Sequence, residues 1–231
     1  MELLHKYRQT DKMVTLITDN YALLQVMSRF GIKIGFGDKT VEEVCQENGV
    51  DCNTFLLIVN FVLDDYISIE EKSNISIQSL LQYLKQSHIY FLEYSFPTIR
   101  RKLLDGINLN TSDVSFLILK FFDEYFNEVR QHMEYEEKEV FNYVNRLIEG
   151  DKINNFTIST YSDHHEQVST KLKELKNIIL RYCPESADIN LLNAALFDIY
   201  RTEKELENHS LIEDKIFVPA IIEFENKLKQ I

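Results

Sequence analysis

Two histidine–glutamate pairs in this sequence share one spacing. His132 is followed four residues later by Glu136, and His209 is followed four residues later by Glu213. On an α-helix this spacing places both side chains on one face, one turn apart. Neutral imidazole and carboxylate groups suit first-row transition-metal ions. The repetition of the pair on two segments therefore predicts a site for two such ions.

Two further histidines extend this ligand set. His88 and His165 lie in the apolar stripes of two other helical segments, so each of four segments contributes one imidazole. Buried acids and imidazoles at one level destabilise a core unless a counter-charge is present, and two divalent cations supply it. Any single one of these histidines has the alternative of being a hydrogen-bonded core residue. The predicted metal ligands are His88, His132, Glu136, His165, His209 and Glu213.

Residues next to these ligands are candidates for supporting roles. His164 competes with His165 on the third segment, but the apolar stripe that follows aligns with His165, which leaves His164 a flanking role. Glu128 and Glu205 each precede a ligand histidine by four residues. They are either solvated or ion-paired acids, or they orient the ligands and relay protons. Glu137 is predicted to be an exposed charge.

Four long helices must hold these ligands. The chain has only six glycines and three prolines, which favours uninterrupted helices. The helical pattern covers roughly 76–104, 112–148, 157–182 and 189–227, with short connections. Helices of this length with short loops predict an all-α fold, an up-down-up-down four-helix bundle. Pro97 lies inside the first segment and predicts a kink there.

A small helical domain is predicted in front of the bundle. Residues 1–15 are assigned to an N-terminal extension, 16–64 to the small domain, 65–75 to a polar linker and 76–231 to the bundle. The local signals of the small domain are as follows: an apolar stripe at Leu23, Leu24, Met27 and Phe30, a capping box at Thr40 and Glu43, helix-ending glycines at Gly31 and Gly49, and an N-cap at Asp51.

Composition excludes several classes of function. The 231-residue chain has a formal net charge of −12, which repels phosphate backbones and disfavours nucleic-acid binding. It has no long apolar run and no signal-peptide pattern, so we expect a cytoplasmic protein without membrane contact. Cys45, Cys52 and Cys183 form no CxxC motif and are predicted to be reduced thiols.

Donor chemistry narrows the choice of metal. A nitrogen-rich site with two bridging carboxylates suits a non-haem di-iron centre, while manganese or mixed occupancy stays open. Ferritin-like di-iron proteins use a Glu-x-x-His motif, which the long segments lack. The residues therefore favour a di-iron bundle of another kind.

Motifs around the ligands carry a resemblance to a known family. The motif residues are His88 with Leu92 and Pro97, His132 with Glu136 and Phe141, His165 with Leu172, and His209 with Glu213 and Pro219. Together they resemble the hemerythrin-like HHE family, and more closely the iron–sulfur cluster repair di-iron proteins, which are regulators of cell morphogenesis and NO signalling. Ser169 stands where the family usually has glycine, and Val218 where it usually has phenylalanine.

Residues 28–45 also resemble the short domain that precedes the bundle in these proteins. Family members usually carry a Cys-Cys pair where Gly35 and Phe36 stand here. This departure argues against any thiol chemistry or iron donation by the front domain. Cys45 remains and is predicted to be a small core residue.

The resemblance implies a function. It implies a cytoplasmic bacterial protein with two iron ions, oxo- or hydroxo-bridged, held by four histidines and two bridging glutamates. Such a protein would act under nitrosative or oxidative stress, by binding NO or by restoring damaged iron–sulfur proteins and other iron centres. Oxygen-carrying hemerythrins use five histidines, so O₂ carriage is disfavoured. A sensor that signals O₂ or NO to a partner, or an NO or peroxide reductase, remain alternatives, and a homodimer stays open.

Overall fold

The computed structural model describes residues 7–64, 75–107, 113–151, 156–162, 170–183, 185 and 187–229. Within these ranges the chain is helical, apart from turns and one isolated β-bridge between Lys12 and Thr40. The all-α class predicted from the sequence is therefore confirmed. The chain divides into two compact units, Met1–Ser87 with Ile212–Ile231, and His88–Leu211.

The helices follow one another with short π-helical turns inside three of the long segments. In chain order they are α1 (Met13–Asp19), α2 (Leu23–Arg29), α3 (Val41–Glu47), α4 (Cys52–Asp64), α5 (Ile77–Ile89), a π turn (Tyr90–Ser95), α6 (Phe96–Gly106), α7 (Asp113–Tyr135), a π turn (Glu136–Phe141), α8 (Asn142–Ile148), α9 (Ile158–Ser162), α10 (Thr170–Tyr182), α11 (Ile189–Ile212), a π turn (Glu213–Phe217) and α12 (Val218–Lys229).

The caps predicted for the small front helices are present. The Thr40 hydroxyl accepts the Glu43 N–H at 3.3 Å, and the Glu43 carboxylate accepts the Thr40 N–H at 2.8 Å. The hydrogen bonds that the Glu43 carboxylate accepts from the Thr40 N–H and, at 3.1 Å, from the Thr40 hydroxyl lower the pKa of Glu43. Gly31 and Gly49 end α2 and α3 with φ of 72° and 65°, a left-handed conformation that glycine adopts without strain. Sequence alone therefore located these helix ends.

One position of the predicted stripe on α2 is wrong. Leu23, Met27 and Phe30 are buried, whereas Leu24 is 41% exposed. Residues 23, 27 and 30 are spaced by four and three, which keeps them on one face, and Leu24 is turned about 100° away. The first helix begins at Met13, inside the stretch predicted as an extension. The domain boundaries themselves stay a prediction.

A continuous apolar core fills the unit His88–Leu211. The rings of Phe96 and Phe126 stack with centroids 4.9 Å apart, and Leu172 and Leu175 from α10 are fully buried, as the stripe on the third segment predicted. Members of this core come from all four segments: Phe91, Phe96, Ile99, Phe122, Tyr125, Val129, Leu172, Leu175, Ile179, Ala195, Ile199 and Leu206. This core fixes which helix faces point inward.

Two of the three π turns named above precede a proline, and two of them begin at a predicted ligand, Glu136 or Glu213. Phe96 donates its N–H to the carbonyl of Phe91, and Val218 donates to the carbonyl of Glu213, each five residues back. A proline follows each of these donors in sequence. Because a proline ring clashes with the carbonyl four residues before it in a regular helix, a wider turn accommodates it. At Pro97 this π turn lies where the sequence predicted a kink.

Candidate metal centre

The imidazole of His88 lies between two other buried groups. Its Nε2 is 3.2 Å from Nε2 of His209 and 3.3 Å from Oε2 of Glu136. Its Nδ1 is 3.1 Å from Oε1 of Glu137. A carboxylate oxygen accepts hydrogen bonds, so the contact to Glu137 places a proton on Nδ1. Nε2 is then directed at His209 and Glu136, the orientation that a metal ligand requires.

Glu136 is fully buried and is contacted from three directions. Its Oε1 accepts the Tyr161 hydroxyl at 2.5 Å and lies 3.2 Å from Nε2 of His132, while its Oε2 faces His88. Burial raises the pKa of Glu136, but the neighbouring imidazoles of His132 and His88 outweigh it and hold this pKa well below its ordinary value. The Glu136 side chain is therefore a buried carboxylate that carries its charge.

Four buried side chains meet closely enough to share a metal ion. One ligand atom from each of His88, Glu136, His209 and Glu213 lies within 4.8 Å of the others. Glu136 and Glu213 are both 0% exposed. Two buried carboxylates held this close repel each other, and a divalent cation relieves both their repulsion and their desolvation. The donor set of imidazole nitrogen and carboxylate oxygen fits a first-row transition metal.

The six predicted ligands fall into three groups. Four of them form the cluster just described. His132 is 18% exposed and approaches the cluster through its contact with Glu136. His165 lies outside the described residues, as does its neighbour His164. The assignment of all six as ligands stays a prediction.

The two supporting acids occupy different surroundings. Glu128 is exposed and forms an ion pair with Lys171 at 2.5 Å. The Glu205 side chain is only 13% exposed, and its Oε1 lies 3.6 Å from Nε of Arg201. Both acids thus have a cationic neighbour, as the ion-paired alternative expects. Their role in orienting the ligands stays a prediction.

Tyr161 and Glu137 contact the cluster but were not among the predicted site residues. Tyr161 precedes His165 by four residues, the offset at which Glu128 precedes His132, so the same spacing rule applied to the third segment would have found it. Glu137 was predicted to be an exposed charge. Its side chain is 39% exposed and contacts the His88 ring. No spacing signal pointed to this contact.

Aromatic rings enclose the imidazoles. The His88 ring stacks on Phe141 with centroids 5.2 Å apart, and Phe91 meets His209 edge-on at 5.8 Å. Both phenylalanines are buried. They fix the ring planes and keep the donor atoms in an apolar environment, where a bound cation is attracted more strongly than in water.

A helical bundle with a buried histidine–glutamate cluster defines a class of metal-binding proteins. The family model "Hemerythrin HHE cation binding domain" matches residues 79–221, more than half of the chain. The chain therefore belongs to this family, as its motifs predicted. No curated protein matches the chain. Among the described residues, no helix has the length and apolar character needed to cross a membrane.

Proposed function

We propose that this chain is a non-haem di-iron protein of the nitrosative and oxidative stress response. It would bind NO, or restore damaged iron–sulfur and other iron centres. The observation that supports this proposal most directly is the convergence of His88 Nε2, His209 Nε2 and Glu136 Oε2 in a buried site. Membership of a cation-binding family supports the metal, and the nitrogen-rich donor set supports iron.

Six residues would hold the two ions. The four histidines His88, His132, His165 and His209 would each bind one of the two ions. The two glutamates, Glu136 and Glu213, would each bind both ions. When bound, ferrous iron supplies an open position for a diatomic ligand and a source of electrons. This division of roles follows from donor chemistry, since a carboxylate has two oxygens and a neutral imidazole has one available nitrogen.

Neighbouring residues would tune this site. Tyr161 donates a hydrogen bond to Glu136 and thereby holds the orientation of one bridging carboxylate. Glu137 accepts from His88 and fixes the proton on the ring nitrogen that faces away from the cluster. Phe141 and Phe91 shield the imidazoles from water. Outer contacts of this kind set the affinity of a metal site and the access of solvent to it.

Anaerobic loading with ferrous iron tests the proposal. The full chain is loaded, desalted and titrated with NO while electron paramagnetic resonance and absorption are recorded, and the loaded protein is then mixed with an apo-ferredoxin. We expect a stoichiometric iron–nitrosyl signal or transfer of iron to the ferredoxin. Glu139→Gln, an exposed acid three residues after Glu136, is the matched control and should behave like the unchanged chain. An iron-loaded protein that neither binds NO nor transfers iron contradicts the proposed role.

A further inference from the structure

Four aromatic rings in contact connect the histidine–glutamate cluster with solvent. The ring of His209, a member of the cluster, meets Phe91 with centroids 5.8 Å apart. Phe91 meets Tyr90 at 5.6 Å, and Tyr90 meets Tyr94 at 5.6 Å. Each separation lies within the range of direct aromatic contact. We call these four rings, all within the unit His88–Leu211, the aromatic path.

The two ends of the aromatic path lie in different surroundings. His209 and Phe91 are buried, Tyr90 is partly buried against the apolar core, and Tyr94 is 59% exposed. A reactive group formed at Tyr94 can therefore meet a molecule in solution, whereas one formed at Phe91 cannot. The aromatic path thus leads out of the buried site.

The local sequence explains why three of these rings follow one another. Tyr90, Phe91 and Tyr94 all belong to the π turn Tyr90–Ser95. Side chains four residues apart in a helical segment lie on one face, and the planes of the two tyrosine rings differ by only 31°. Phe91, next to Tyr90, points inward to the core and to His209. The short motif Tyr-Phe-x-x-Tyr therefore joins an inward ring to an outward one.

The residue types decide what the aromatic path can carry. A phenol gives up an electron together with its proton, but only to a strong oxidant. The ring of Phe91 is harder to oxidise than a phenol and serves only as a short bridge between His209 and Tyr90. A mild reductant cannot use such a path stepwise to deliver electrons to the cluster. The aromatic path instead suits the removal of strongly oxidising equivalents from it.

We propose that Tyr90 and Tyr94 carry oxidising equivalents from the cluster to solvent when hydrogen peroxide reacts with the iron-loaded protein. This inference rests on the proposed di-iron function. Bound ferrous iron supplies one of the two electrons that reduce hydrogen peroxide to water. Tyr90 supplies the other electron across Phe91 and releases its phenolic proton, which leaves a neutral tyrosyl radical. With one further proton from solvent, one hydrogen peroxide yields two waters.

Tyr94 completes the transfer to solvent. It gives up one electron and one proton, and the Tyr90 radical takes up one of each, so Tyr90 is restored and the radical lies on Tyr94. A hydrogen-atom donor in solution, such as ascorbate, then restores Tyr94 and becomes a radical itself. The imidazole of His209 is spared from oxidation, because the oxidising equivalent leaves the buried site.

Spin trapping with peptide mapping tests the aromatic path. The full chain, loaded anaerobically with ferrous iron, is mixed with hydrogen peroxide and a nitroso spin trap, digested and analysed by tandem mass spectrometry. We expect an adduct on Tyr94, and none when the metal-free chain is treated in the same way. Tyr21, which is 82% exposed in the other unit, is an internal control. Radicals released into solution would label Tyr21 at least as strongly as the less exposed Tyr94.

Two variants that each lose one hydroxyl separate the path from general exposure. Tyr90→Phe should reduce the Tyr94 adduct to the level of the metal-free chain and increase the addition of oxygen to His209. Tyr182→Phe, at a tyrosine that is 60% exposed and so matches Tyr94, should keep the adduct. Iron content and the iron–nitrosyl signal should equal those of the unchanged chain in both variants, because neither hydroxyl belongs to the cluster.

Tyr94→Phe covers the case that Tyr90→Phe does not fold. Its ring is exposed, so the substitution should not disturb the core. The radical should then stay on Tyr90, and its electron paramagnetic resonance signal should outlast that of the unchanged chain when ascorbate is present. Equal decay of the two signals would show that Tyr94 is not the exit.

Three results would overturn the inference. The first is a Tyr94 adduct that persists in Tyr90→Phe, and the second is equal labelling of Tyr21 and Tyr94. The third is loss of the adduct in Tyr161→Phe alone, since Tyr161 donates a hydrogen bond to Glu136 and is the competing electron source. A chain that binds iron and NO but gives no Tyr94 adduct refutes the path alone. A chain that binds no iron refutes the proposed function and the path together.

Discussion

The Nε2 atoms of His88 and His209 face each other at 3.2 Å, although the two residues are 121 positions apart in the chain. Neither imidazole can donate to the other unless one Nε2 carries a proton, and Glu136 Oε2 lies beside the same atom of His88. A positive charge at this point satisfies all three groups. A proton on one of the two rings is the smallest positive charge that would do this. A metal ion would also neutralise the nearby carboxylate of Glu213.

Removal of Glu136 should lower metal content and stability together. Glu136→Ala deletes a buried carboxylate that contacts His88 and His132, so we expect metal loss and a decrease in the unfolding free energy of about 3–5 kcal/mol. Inductively coupled plasma analysis and urea unfolding measure the two effects. Glu139→Ala, at an exposed position of the same π turn, should change neither. Metal retained at unchanged stability in Glu136→Ala would disprove the ligand role.

Loss of the Tyr161 hydroxyl should weaken metal binding without abolishing it. Tyr161→Phe removes the hydrogen bond to Glu136 but keeps the ring, so the affinity should fall by about 10–100-fold at unchanged stoichiometry. Competition with a chromophoric chelator reports the affinity. Tyr94→Phe, at a residue 59% exposed, is the control. An affinity equal to that of the unchanged chain would show that Tyr161 does not position the carboxylate.

A buried hydrogen bond outside the cluster should contribute to the stability of the fold. Ser95 and Thr202 share a hydrogen bond of 2.6 Å and lie seven residues from His88 and His209 respectively. Ser95→Ala leaves the Thr202 hydroxyl without this partner and should cost about 1–3 kcal/mol.

The double variant provides the control for that bond. Ser95→Ala with Thr202→Val removes both polar groups, so it should cost less than the sum of the two single changes. Urea unfolding of all four proteins measures the coupling. Strictly additive costs would mean that the bond contributes nothing to stability. Metal content should stay unchanged in every variant, because neither hydroxyl belongs to the cluster.

The three thiols should differ in their reaction with an alkylating agent. The pKa of Cys52 is lowered by the hydrogen bond from Cys45, whereas burial raises the pKa of Cys183. A lowered pKa gives a larger thiolate fraction at a given pH, so Cys52 should react with iodoacetamide at lower pH than Cys183 does. Timed labelling across a pH series followed by peptide mapping measures both profiles.

The Cys45 thiol is the cause of that difference and can be removed. Cys45→Ala takes away the donor, so the pKa of Cys52 should rise and its labelling profile should move to higher pH. The profile of Cys183 should stay where it is. An unshifted Cys52 profile would show that the thiol hydrogen bond does not set its reactivity.

The spacing of apolar residues was enough to predict the helices and the four predicted ligands that lie in the cluster. A stripe of apolar residues identifies the buried face of a helix to within one residue. The side chains of His88, Glu136, His209 and Glu213 could therefore be assigned to buried faces from sequence alone. Leu24 was misplaced because it lies about 100° around the helix from the face that Leu23, Met27 and Phe30 share. Residue spacing therefore gives the face of a helix, but not the burial of each residue on it.

Features that arise only in the folded chain could not be predicted from the spacing of residues. The π turns shift register at Glu136 and Glu213, and no simple periodicity encodes such a shift. The effect of the Cys45 thiol on the pKa of Cys52 depends on how the turn at Gly49 leads into α4. Gly49 and Asp51 were each predicted, but this effect was not.

Iron stoichiometry of the anaerobically purified full chain is the most direct test of the central claim. The account predicts that the unchanged chain binds two iron ions, and that His88→Ala and His209→Ala each lose iron while Glu139→Gln keeps it. A chain that binds no transition metal, or histidine variants that retain the full complement, would contradict it.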